Sequence, residues 1–337
     1  MRNETQGFVV AVVCTFIVLF PPVDFAQEIV PVRNEVARVG QQEVIMMRHA
    51  FIEEGEYTFW ERESRQKVWP WFQRLGARMI GDFKVIYPEM RDESPGQDEA
   101  LRFARYASYE HWQATRRASA ENPTGGSIVL AGKGSLSAES DIGLSNRRTV
   151  LQGSKEAVFL QGHMAQTRPL YMPGTKETFR ETVDSLQDDL PAPVSHRIAL
   201  PNNEILILRY RKIKKNAFQE LYEIERDGVW PYLEKIGGRP VGQWKIVYLP
   251  NGTPIESSQY DEDYSLIRYA SLDHYKAIDT DPGALGGDGP DFQRRQEAKS
   301  QINELILSAT HRVLKGPLFS SPPVYAQPHD LSFRHSD

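Results

Sequence analysis

The chain has 337 residues, room for two domains of ordinary size. Hydrophobic residues make up 40% and charged residues 25%, which excludes a disordered chain and calls for a packed core. A formal charge of −5 argues against a general affinity for nucleic acid, which needs a basic footprint.

From the N-terminus, the first feature is an apolar run, Phe8 to Phe20, closed by Pro21 and Pro22. It is short of the roughly 20 residues a membrane helix needs. It fits the core of a secretory signal peptide, with Arg2 as the basic end and Ala26 as the cleavage residue. Residues 1–26 are read as that leader and 27–42 as an N-terminal segment. The expected location is therefore periplasmic or secreted; an uncleaved leader would instead anchor the N-terminus in a membrane, and no other membrane contact is expected. Cys14, the single cysteine, lies inside the leader, so the exported chain would have no disulfide, thiolate nucleophile or Cys-bound metal.

The apolar, β-branched stretch Val44–Phe51 predicts a strand. Tyr57, Trp60, Ser64, Val68, Phe72 and Leu75 then recur three to four apart, a helical stripe. Pro70 lies inside that stripe and lacks a backbone donor, so the helix is expected to break or restart at Trp69-Pro70. A second strand follows, with Gly81, Phe83, Val85 and Tyr87 on one face, then a third through "LRFARYAS". Ser108 is placed to cap a second helix, with Glu110 in its first turn. A Gly-rich stretch, a longer helix and a short strand at "RPLYM" complete a β-α-β-β-α-β series, the ferredoxin-like split motif.

The same series then recurs. Residues 175–203, with two close prolines, read as a linker. Ile205–Lys212 is the next first strand, and Pro231 repeats the interruption of the helix. The second long helix is expected to carry Ala298, Ile302, Leu305, Ala309 and Val313 on one face, with a last strand at "GPLF". Shifted by 161, nine of the twenty-three positions from Arg65 to Tyr87 are identical to those from Arg226 to Tyr248, too many for unrelated segments. "RYASYEHW" likewise lies over "RYASLDHY". The chain is therefore read as α+β, with tandem repeats at 43–174 and 204–322 and a tail at 323–337.

The "GGRPVGQW" turn and the step into "LIRYAS" resemble the NIPSNAP family of the dimeric α/β-barrel superfamily; the first repeat has "GARMIGDF" instead. The resemblance implies that the two repeats press their sheets together into one barrel. The chain would then be a monomer with an internal pseudo-dimer. Relatives in that superfamily include small monooxygenases, haem-degrading enzymes and isomerases, so the fold alone does not choose a function.

Several residues are candidates for chemistry. Arg48, Arg209, Arg105 and Arg268 sit within strands, where a charge is costly unless paired. They read either as a cationic ring inside the barrel holding an anionic ligand or as structural ion pairs, and the second is the more ordinary state of buried arginine. His111 and His274 follow an acid at matched places and could shuttle a proton, although polar residues just past a helix cap are commonly exposed surface. Tyr106 and Tyr269 read as ligand contacts or as core aromatics. His49 becomes Tyr210 in the second repeat, so an asymmetric active site would centre on His49, which would also be the ligand of any haem. His163 and His311 are expected near the ends of the long helices. No histidine pair has metal-ligand spacing, and no phosphate loop, dinucleotide fingerprint or nucleophile elbow is present. These residues imply a binding protein for a small anionic or aromatic ligand, with an enzyme of monooxygenase or isomerase type using the same cavity, or an interaction module, as alternatives.

Overall fold

The structure, a computed structural model, describes residues 38–39, 43–75, 77–87, 96–106, 108–116, 135–155, 157–164, 204–248, 256–316 and 332–333. The proposed leader and the 175–203 linker lie outside the described residues. So do "RPLYM" and most of "GPLF".

The first half runs β1 (Val44–Glu53), α1 (Tyr57–Glu63), α2 (Trp69–Arg74), β2 (Arg78–Ile86), β3 (Gln97–Tyr106), α3 (Tyr109–Ala114), α4 (Ser135–Val150), β4 (Leu151–Ser154) and β5 (Val158–Met164). The second half gives β6 (Ile205–Lys214), α5 (Phe218–Ile224), α6 (Trp230–Lys235), β7 (Arg239–Val247) and β8 (Tyr260–Tyr269). It continues with α7 (Leu272–Thr280), α8 (Pro282–Gly286), α9 (Pro290–Leu305) and β9 (Ile306–Lys315). The two halves share the order β-α-α-β-β-α up to α3 and α7; after the long helix the first half has two strands, β4 and β5, and the second has one, β9.

The interruption expected at the two Trp-Pro steps takes a specific form. A π-helical turn, Ser64–Val68 or Glu225–Val229, joins α1 to α2 and α5 to α6 without a break. Pro70 and Pro231 then fall directly after the π turn, at the start of the following α-helical segment. Ser108 and Ser271 cap their helices as expected, each accepting from the backbone N–H three residues on.

The long helix of the second half is shorter than its apolar spacing suggests. It stops at Leu305; Ala309 and Val313 belong to β9, not to the helix. Ile306 already has strand dihedrals, and the β-branched residues beyond it pair with β6 from Ile306↔Ile213 to Leu314↔Leu206. The last described strand of each half therefore precedes the "RPLYM" and "GPLF" stretches. His163 and His311 stand on strands β5 and β9 rather than at helix ends.

Eight strands join in the order β3-β2-β9-β6-β8-β7-β5-β1, and β1 bonds back to β3, closing an antiparallel barrel. β4 extends the far end of β1. The halves meet at two seams: β9 pairs with β2 through Val313↔Ile86 to Lys315↔Lys84, and β5 pairs with β7 from Phe159↔Val247 to Met164↔Gly242. Closure leaves no unpaired strand in the ring to template association.

Alternation along each strand sends one set of side chains inward and the other toward helices. Met47, Phe83, Phe103, Leu208, Trp244 and Leu266, drawn from both halves, form the barrel core. The outer faces pack helices: Val44, Met46, Trp69 and Tyr106 in one half, Ile205, Ile207, Tyr232 and Tyr269 in the other. Gly81 and Gly242 have a packing reason. A Cβ on Gly81 would stand 2.1 Å from the Phe83 ring, and one on Gly242 2.2 Å from the Trp244 indole. Each ring folds back over its glycine at a β-bulge.

Candidate functional site

Because neighbours in the ring are all antiparallel, β1 and β6, four places apart, run in the same direction. Equivalent residues of the two halves therefore meet at the same end of the barrel. At the end reached by the C-terminal parts of β1 and β6, the core gives way to a cavity of about 270 Å³. Its walls are Met47, Leu101, Val158 and Leu208; its polar groups include His49, Tyr210, Lys155 and Arg312. Side chains fill the middle of the barrel, so this is a pocket and not a pore.

Each half contributes one glutamate held by two rings. In the first, His49 Nε2 lies 2.5 Å from Glu99 Oε2, and Tyr87 Oη donates to Glu99 Oε1. In the second, Tyr210 and Tyr248 each donate to one oxygen of Glu262. Burial, and then the bond to Glu99, push the Tyr87 phenol up to about 12; Tyr210 and Tyr248 rise for the same reasons. All three phenols remain donors at neutral pH.

The strand exchange makes the two clusters unequal. β9 comes from the second half but lies beside β2, and its Arg312 reaches the first-half cluster: Nη1 is 3.4 Å from His49 Nδ1 and 4.0 Å from Glu99 Oε2. Burial first, then Arg312 and Lys155, lower the His49 pKa against the raising effect of Glu99. The neutral ring with its proton on Nε2 satisfies both neighbours: Nε2–H donates to Glu99 and Nδ1 accepts from Arg312. Glu99 and Glu262 are thus engaged by donors, while Arg312 is partly exposed at the mouth and Lys155 lines it. The mouth therefore sets two cationic side chains, Arg312 and Lys155, beside two carboxylates already bound by donors.

Of the residues singled out in the sequence, His49 and His311 line this cavity. Arg48 and Arg209 face the helical layers, on the alternate positions to Met47 and Leu208, so the cationic ring inside the barrel is not formed by them. Arg105 and Arg268 do point inward, but at the opposite end. There Arg105 binds Glu43 bidentately, with Nη2 2.8 Å from both carboxylate oxygens, and Arg268 pairs with Glu204. Tyr106 and Tyr269 are buried among the helix-facing core, edge-on to His111 and His274.

His111 and His274 are fully buried, not exposed past their caps. Each uses Nε2 to reach a backbone carbonyl 2.7 Å away, Leu75 or Ile236, and His274 Nδ1 accepts from the Ala270 N–H. They tie α3 and α7 to the turns after α2 and α6. A haem does not fit the residues at His49: Nε2 is taken by Glu99, a cation faces Nδ1, and the cavity is below the ~300 Å³ floor of ordinary cofactor pockets. Among the described residues no group of three His, Cys, Asp or Glu is placed to hold a metal ion, and no helix is long and apolar enough to cross a membrane.

The residues missed in the sequence were the most regular ones. Glu99 and Glu262 match under the same shift that aligns Arg105 with Arg268, and Tyr87 matches Tyr248. A carboxylate kept twice on an inward-facing strand position was the available signal. Arg312 carried none, since its place at the mouth depends on the strand exchange.

No protein-family profile matches the chain, and no curated protein does. Among solved structures, a monooxygenase-like protein of Lactobacillus acidophilus NCFM is 9% identical with a TM-score of 0.45, over 82% of this chain and 94% of that one. An anthrone oxidase-like protein is 9% identical with a TM-score of 0.41, over 83% and 94%. An uncharacterized NIPSNAP-like domain protein from Burkholderia xenovorans is 19% identical with a TM-score of 0.25, over 38% of this chain and 99% of that one. Similarity at this level leaves the chemistry to be argued from the residues.

Proposed function

We propose that this protein is an exported, NIPSNAP-like α/β-barrel protein, duplicated within one chain and monomeric. It takes up a small organic anion with a flat apolar body in the barrel mouth. The observation that carries the reading is the pairing of an apolar-walled cavity of about 270 Å³ with two cationic side chains, Arg312 and Lys155. Met47, Leu101, Val158 and Leu208 would cover the apolar body, the Tyr264 ring would stack on it, and Arg312 would meet the carboxylate. Calorimetric titration with a panel of aromatic and short-chain carboxylates tests this. Binding that weakens at least tenfold in Arg312→Gln supports the reading; affinities unchanged by that substitution refute it.

A second reading, proton transfer, has one specific observation in its favour. Glu99 fixes the His49 tautomer so that Nδ1 faces the mouth as an acceptor, the arrangement of an oriented general base. For that role Arg312 would turn from Nδ1 to the bound anion, freeing the nitrogen. Loss of a ligand C–H proton to deuterated water, followed by NMR, would occur with the natural protein and stop in His49→Gln. Equal exchange in both would remove His49 from any such chemistry.

A further inference from the structure

Among the described residues, the helix-facing side of the first half gathers four buried or half-buried arginines, Arg48, Arg102, Arg116 and Arg147, around one fully buried carboxylate, Asp82. Asp82, Arg102 and Arg48 stand in one row across β2, β3 and β1, with Asp82↔Arg102 and Arg102↔Arg48 as direct cross-strand pairs. Like charges directly opposite one another are destabilising in a sheet. Arg147 descends from α4 onto this row, its guanidinium 3.7 Å over the Trp60 ring, and is only 7% exposed. Arg116 is close enough to repel both Arg48 and Arg147. Against these stand Asp82, fully buried, and Glu61, which already pairs with Arg65. The buried Nε–H groups of Arg102, Arg116 and Arg147 have no hydrogen-bond partner among the described residues.

The second half solves the same location differently. Ala50, Ser64, Asp82 and Ala100 correspond to Arg211, Glu225, Gln243 and Asp263. Arg211 there is bonded to both carboxylates, with Nε 2.9 Å from Asp263 Oδ1 and Nη1 2.5 Å from Glu225 Oε1. The long side chains fill the space. In the first half the two alanines leave a void of about 10 Å³, lined by Arg48, Arg102, Arg147, Asp82, Trp60, Ala50 and Ala100. That is room for about one water-sized sphere.

We propose that a monatomic anion of halide size occupies this void, held by the N–H groups of Arg102 and Arg147 with Arg48 alongside. Together with Asp82, which stands where Gln243 does, a single anion brings the two negative charges that Asp263 and Glu225 supply in the other half, and it separates the Arg48–Arg102 pair. Burial and the neighbouring arginines lower the pKa of Arg48 to about 10 and that of Arg147 well below its ordinary value, and Asp82 only partly offsets this at Arg147. A water molecule would fit the space but would leave the charge uncompensated.

The test is thermal unfolding of the full chain at fixed ionic strength, replacing gluconate by chloride or bromide. A saturable rise in Tm of about 2–4 °C is expected. Arg147→Gln should abolish the rise. Should that variant fail to fold, Ala100→Asp, which places a carboxylate where Asp263 stands in the second half, should fold and lose the halide response. Crystals soaked in bromide should show an anomalous peak beside Arg102 and Arg147. A halide response unchanged by Ala100→Asp, or water alone at that position in the bromide crystals, would overturn the proposal.

Discussion

His49 and Tyr210 hold the same place on β1 and β6, at the same end of one barrel, and each hydrogen-bonds a glutamate across its own sheet: Glu99 for His49, Glu262 for Tyr210. The first-half cluster alone has Arg312 beside it, brought there by β9 from the other half. The mouth is therefore symmetric in its carboxylates and asymmetric in its charge.

Replacing His49 by Tyr would make the two clusters alike. The fold already accommodates that residue at Tyr210, so His49→Tyr should change unfolding free energy by no more than about 1.5 kcal/mol. Affinity for the cavity ligand should nevertheless fall at least tenfold, because the nitrogen that positions Arg312 is gone. Urea unfolding and a ligand titration on the same variant check both halves of this statement.

The Arg211 network should behave as a unit. Arg211→Met strands Glu225 and Asp263 without their cation, and a loss of about 3–5 kcal/mol is expected. Replacing Glu225 and Asp263 by leucine in the same chain should recover most of that loss, since three apolar side chains of similar volume need no partners. Denaturant midpoints of the single and triple variants decide it.

Stability should depend on His274 in acid. Burial, only partly offset by the Ile236 carbonyl, lowers its folded pKa to about 4, against roughly 6.5 unfolded. The fold thus favours the neutral ring. Its contribution is fully present above about pH 6.5 and is lost as pH falls toward 4, on the order of 3 kcal/mol in all. Urea midpoints measured from pH 7 to 4.5 should decline, and His274→Gln should flatten part of that decline while lowering the midpoint at pH 7.

Gly242→Ala should cost more than Gly81→Ala. The three atoms nearest a Cβ at 81 all belong to the far end of the Phe83 ring. A Cβ at 242 meets the Trp244 indole and also the His163 carbonyl oxygen at 2.8 Å, part of the β5–β7 seam. The expected losses are roughly 1 and 3 kcal/mol, respectively, by thermal unfolding.

Much of the architecture was legible because it is written locally. The stripe from Tyr57 to Leu75, the caps at Ser108 and Ser271 and the inward face Gly81–Tyr87 all follow from spacing. The end of α9 was not, because Ala309 and Val313 continue the apolar period of Leu305 while the hydrogen bonds of β6 claim them for a strand. The site was less legible. Arg48 and Arg105 drew attention as strand charges, but which face they take depends on register, which the sequence leaves to the barrel seams. His49 was found through the His-to-Tyr difference between halves; Arg312, its neighbour across 263 positions, required the closed ring.

The central claim is that the barrel mouth holds a small organic anion, and native mass spectrometry of the purified protein tests it most directly. The expected result is a monomer carrying excess mass that denaturation removes and that Arg312→Gln no longer retains. A bare monomer that takes up none of the offered carboxylates, or excess mass retained equally by Arg312→Gln, would contradict it.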